Sequence, residues 1–141
     1  MLLQCIIKIN DMYVLNRSNA SNIFLEDVKT FFDDKNVKYI PSHRISGKSG
    51  LDSYFDFAIP KSNKNPMTLV KVVNKLDKDK VKQIIFDWND TKDISNDDMK
   101  ILVVFNDQEA QVKNENIEAL NKYGLKSYSW SNRDNMLQEI A

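Results

Sequence analysis

Residues 46–60 read SGKSGLDSYFDFAIP, and the fold turns on whether that stretch is a phosphate loop or the turn and second strand of a hairpin. A phosphate loop takes a further glycine five residues before Gly47, where this chain has Ser42. The turn reading asks for nothing that is absent, because Gly47 and Gly50 tolerate positive φ on either side of Lys48 and Ser49. After Gly50, the residues Phe55, Phe57 and Ile59 alternate with Tyr54, Asp56 and Ala58, the period-2 pattern of a half-buried strand. The alternation places Asp56 on the face away from the aromatic side chains.

Outward from this strand, Val37 to Ile45 precedes it and Leu69 to Leu76 follows it, across the polar, proline-containing loop Lys61 to Pro66. The three segments predict an antiparallel meander. Upstream, Ser21 is an N-cap candidate for a helix through about Asp34, with Ile23, Phe24, Val28, Phe31 and Phe32 as its apolar stripe and Glu26 and Asp27 near its start. Residues 2 to 15 fit a helix, with a strand as the alternative. Downstream, Asp77 caps a helix carrying Val81, Ile84, Ile85 and Trp88. Ile101 to Phe105 lacks alternation, as a strand buried on both faces does. Glu115 to Tyr123 reads as a helix ended by Gly124, Leu125 to Trp130 as a strand, and Asn132 to Ile140 as a last helix. A meander followed by helix, strand, helix, strand predicts an α/β fold: a mixed sheet with helices on both faces.

With 141 residues, 42% of them hydrophobic, the chain suits one domain with a core of its own. We divide it into an N-terminal extension, residues 1–19, and a single α/β domain, residues 20–141. No stretch approaches the ~20 apolar residues of a membrane span, and MLLQCIIKIND lacks the marks of a secretory signal, so a cytoplasmic protein without a membrane partner is expected. The one cysteine, Cys5, forbids an intrachain disulfide, and the one histidine, His43, leaves little room for serine-histidine chemistry or a histidine-rich metal site. Net charge is zero but unevenly spread. Residues 1–34 carry 3 basic and 5 acidic side chains, residues 35–82 carry 11 and 4, and residues 83–141 carry 6 and 11. The basic middle fits either a polyanion-facing patch or ordinary solubilising lysines.

The order helix, three-stranded meander, helix, strand resembles the core of the restriction-endonuclease-like, PD-(D/E)XK nuclease superfamily. The runs IFLEDVKTFF, GKSG, FDFAIP, FDWND, VVFND and ALNKYGLKSYSWSNRD resemble a domain of unknown function found in bacteria and prophages, usually the C-terminal half of a two-part protein. The nuclease resemblance implies an aspartate on the second strand and an acid-x-lysine pair on the third, which together hold Mg²⁺ and a water. Residues two apart on a strand share a face, so a carboxylate can bind the ion while the lysine attends the water. Asp56 matches the first acid, and Lys71 or Lys75 the lysine. The residue two before each lysine is Leu69 or Val73, so the second carboxylate is missing, with Glu26 the candidate to replace it as a metal ligand.

His43, Arg44, Lys48, Lys61 and Lys64 are the candidate nucleic-acid contacts. Trp88 and Trp130 read as core. Three functions are carried forward. The first is a catalytically degenerate nuclease-like domain that binds nucleic acid or protein in a prophage or bacterial defence setting, with no cofactor. The second is an active Mg²⁺-dependent nuclease, and the third is an inhibitor-like partner of a host protein. Oligomeric state is not legible.

Overall fold

The computed structural model describes residues 20–63, 66–94, 98–108 and 111–140. The N-terminal helix or strand expected over residues 2–15, the extension 1–19 and Lys64 all lie outside them. The described elements are α1 (20–34), β1 (Ile40–Ser46), β2 (Asp52–Ile59), β3 (Met67–Val73), α2 (Lys78–Thr91), β4 (Met99–Phe105), α3 (Asn114–Lys122), β5 (Lys126–Ser129), a short 3₁₀ turn (Trp130–Asn132) and α4 (Arg133–Ile140). The strands lie in one sheet in the order β1-β2-β3-β4-β5. β1, β2 and β3 pair antiparallel as the expected meander, and β4 and β5 join parallel.

Both faces are covered. Ile101, Val103 and Phe105 of β4 enter one core with Leu69 and Val73 of β3, beneath Val81, Ile84 and Trp88 of α2 and Leu120 of α3. Leu102 and Val104 enter the other, with Val70, under Phe24, Val28 and Phe32 of α1 and Met136 and Ile140 of α4. This is why β4 reads as an unbroken apolar run: each parity of the strand meets its own helical layer. Asp77 caps α2 by accepting the Lys80 N–H at 2.8 Å.

Two expectations are corrected here. Ser21 lies within α1, which is already helical at residue 20, so it is not the cap. The alternation along β2 is also broken. Phe55 packs with Ala58 on the α2 face, whereas Phe57 and Ile59 pack on the α1 face. The cause is a local irregularity at Asp56: the β1–β2 ladder skips the Ser42–Asp56 pair, and Ser42 sits at φ 53°. Trp130 is half-buried at the edge of the α1-side core, edge-on to Phe24 and Phe31 with the Arg133 guanidinium over its face.

Candidate functional site

Asp56 stands where two strands part. β2 and β3 pair from Ile59↔Thr68 to Phe57↔Val70 and no further. The next ladder donor on β3, the Val72 N–H, is instead taken by the Asp56 carboxylate at 2.7 Å. A side chain thus stands in for a strand carbonyl, and the opening it leaves is a cavity of about 490 Å³. Asp56 lines it with Ser21, Asn22 and Leu25 of α1, Asn74 and Lys75 past the end of β3, and Lys80 of α2. Burial pushes the Asp56 carboxyl up, against the Val72 hydrogen bond and the charges of Lys71 and Lys80, which pull it down.

Lys71 is spent elsewhere. It is buried on the α2 face, where its ammonium donates to the Tyr54 carbonyl at 2.6 Å, lies 3.2 Å from Asp87 Oδ2 and sits 5.1 Å from the centre of the Phe55 ring. Ser53 completes the group by donating to Asp87 Oδ1 at 3.3 Å. Lys71 therefore holds α2 to the meander, and of the two candidate lysines only Lys75 shares the Asp56 cavity. Val72 and Val73 at the end of β3 and Asn74 and Lys75 just past it line this cavity, so of the two pairs spaced two apart one is Val72 and Asn74, and the other is Val73 and Lys75, a lysine without its acid. Asn74 accepts from the Asn106 amide at 3.0 Å, and the Asn106 N–H donates to the Val73 carbonyl at 3.0 Å.

Glu26 is exposed on α1 and does not line the cavity. Its charge falls on Tyr39, whose hydroxyl is pushed up to about 12 by burial, by its bond to Asp33, and by the charges of Asp33 and Glu26. Among the described residues no group of three or more His, Cys, Asp or Glu side chains is placed to hold a metal ion. Among the described residues the donors around Asp56 are one carboxylate and neutral oxygens beside two ammonium groups. Mg²⁺ is held through carboxylates, phosphates and water, so this set does not fit it.

The basic candidates are dispersed. Arg44 faces Asp52 at 3.7 Å and Lys48 faces Asp93 at 3.2 Å, both on the surface, and His43 is half-buried on the edge strand β1. Lys61 lies at the opposite end of the β2–β3 hairpin, where the fold sets it beside Lys35 and Lys38. Sequence reasoning missed Lys35, Lys38 and Lys80. Lys35 and Lys38 bracket a helix end, and nothing in their spacing says that Lys61 meets them.

The Ser46–Gly50 run is a turn, and it also binds an anion, one that belongs to the protein. Asp90 of α2 accepts the Ser49 N–H at 2.9 Å and the Ser49 hydroxyl at 2.8 Å, while the Lys48 N–H donates to the Asp90 carbonyl at 2.9 Å. A Cβ on Gly47 would lie 1.8 Å from Asp90 Oδ2, so only glycine admits the carboxylate.

Residues 47–133, more than half of the chain, match the domain of unknown function DUF1829, and the chain belongs to that family. Comparison with curated proteins gave no match. A crystal structure of a repair endonuclease from Pyrococcus abyssi is similar over 74% of this chain and 45% of that one, at 15% identity and a TM-score of 0.49. The chain thus spans less than half of that protein's length.

Proposed function

We propose that this DUF1829-family chain is a catalytically degenerate nuclease-like domain that binds nucleic acid, in the bacterial or prophage setting its sequence resemblance implies. The observation that carries the reading is the cavity at Asp56. It lies where the second and third strands of the meander part, yet its donors are a single carboxylate with Val72 and Asn74 opposite and two lysines, Lys75 and Lys80, on its walls. Two ammonium groups suit phosphate oxygens. Asp56 uses one acceptor site on Val72 and retains others for a base amino group.

The test incubates the protein with labelled duplex and single-stranded DNA and RNA, with Mg²⁺ or Mn²⁺ and with EDTA. Asp56→Ala and Lys75→Gln/Lys80→Gln are run in parallel. The reading expects salt-sensitive retention without cutting, weakened in the lysine variant. Metal-dependent cutting abolished by Asp56→Ala would overturn it in favour of an active nuclease. Neither cutting nor retention would overturn it in favour of a protein partner.

A further inference from the structure

The Lys35–Lys38–Lys61 cleft lies away from the Asp56 cavity and shares no lining residue with it. Its volume is about 410 Å³, its floor is Val37, Ile59 and Ile140, and three lysines stand at its rim. Backbone hydrogen bonds shape the walls. α1 ends in a Schellman motif, with Asn36 at φ 58°, the Asn36 N–H on the Asp33 carbonyl at 3.2 Å and the Val37 N–H on the Phe32 carbonyl at 2.9 Å. Val37 then packs into the core that holds Phe32. That turn fixes Lys35 and Lys38 on either side of itself. Opposite, Ile59, two residues before Lys61, is paired to Thr68 across the sheet, and the Thr68 hydroxyl donates to the Pro66 carbonyl at 3.3 Å.

The charge at this place is unopposed. Lys48, Lys71, Lys100 and Lys126 each face a carboxylate; Lys35, Lys38 and Lys61, like the other lysines among the described residues, face none, and what sets these three apart is that they line one cleft. Among the described residues no Asp or Glu lines the cleft. The two acids closest in the chain are Asp33 and Asp34. Asp33 accepts the Tyr39 hydroxyl at 2.7 Å, and neither reaches the cleft. In a chain with 20 basic and 20 acidic side chains, three lysines that line one cleft without an acid among its described lining residues offer an anion cations alone.

We propose that this cleft binds a phosphate group, a monoester or the diester of a nucleic-acid backbone, through Lys35, Lys38 and Lys61. The nucleic-acid reading above is needed only for the diester source. The test records the backbone amide NMR signals of the full chain during titration with inorganic phosphate, and separately with a short DNA duplex. The wild type, Lys35→Gln/Lys38→Gln/Lys61→Gln and the corresponding triple arginine variant are compared.

Saturable phosphate-induced shifts at residues 35, 36, 38 and 61, lost in the glutamine variant and kept in the arginine variant, are the expected result. If the backbone is the source, the glutamine variant also lowers the slope of log affinity for duplex against log salt, by about 0.9 for each phosphate that is no longer neutralised. Phosphate binding with an unchanged duplex slope supports the site with a free phosphate or monoester as its ligand. Absence of saturable shifts at these residues with both probes, or shifts that survive in the glutamine variant, overturns the proposal. Loss of duplex retention in Lys75→Gln/Lys80→Gln, by contrast, reports on the Asp56 cavity alone.

Discussion

Three carboxylates reach toward the sheet, and the two on the α2 face are held differently from the one facing α1. Asp87 meets the Lys71 ammonium and the Ser53 hydroxyl, and Asp90 meets the N–H and hydroxyl of Ser49 under a glycine that makes room for it. Each is matched by partners from the meander, and together they fasten α2 to β2, β3 and the β1–β2 turn. Asp56 receives the Val72 N–H, borders an open cavity, and is pushed up by burial. Matched charge builds the scaffold, and undermatched charge at a splayed ladder marks the place where something else is to bind.

The sharpest way to break this contrast is Lys71→Met, which leaves the half-buried Asp87 without its cation. We expect a loss of roughly 3–5 kcal/mol of stability by urea unfolding, most of it recovered in Lys71→Met/Asp87→Leu. A small loss in the single variant would mean that Lys71 is not structural and would return it to the catalytic candidates. Gly47→Ala comes next. Its Cβ collides with the Asp90 carboxylate, and overpacking of this kind costs about 1–3 kcal/mol. In Gly47→Ala/Asp90→Ala the collision is gone, so the double variant should be little worse than Asp90→Ala alone, by about 1 kcal/mol or less, when both are melted side by side.

Asp56→Asn should act in the opposite direction. Asparagine keeps an acceptor for the Val72 N–H and removes a desolvated charge. Because burial raises the Asp56 pKa in the fold, the native state prefers the protonated acid. Wild-type stability from this group is complete below the unfolded carboxylate value and declines as pH climbs through the folded one. The variant lacks that decline, so its melting temperature should match wild type in acid and exceed it by a few degrees at most at neutral pH. Equal melting curves at both ends would show that Asp56 is as well matched as Asp90.

The meander and the helices of both layers were legible because each has a period that its packing partner imposes, and β4 because a strand packed on both faces is apolar without a break. Phe24, Val28 and Phe32 recur at helical spacing, and the run of residues 101–105 meets a helix on either side. The break in β2 was not legible. FDF reads as clean alternation, and only the skipped Ser42–Asp56 pair sends Phe55 and Phe57 to opposite cores. Asp56 could be singled out from the strand pattern and the resemblance. The fate of Lys71 could not, since its partner Asp87 is 16 residues away on a helix whose placement depends on the sheet.

What the sequence determined by itself is the order and kind of the described elements from α1 onward, the turn at GKSG and the absence of an acid two residues before Lys71 or Lys75. These depend on neighbours within a few positions, where spacing alone decides which side chains share a face. Tertiary structure decided which charges meet: Lys71 with Asp87, Ser49 with Asp90, Lys75 and Lys80 around Asp56, and Lys35, Lys38 and Lys61 around an open cleft. Electrostatic partnership falls off with distance in space and takes no account of distance along the chain, so it comes into being only when the sheet and its helices have closed on one another.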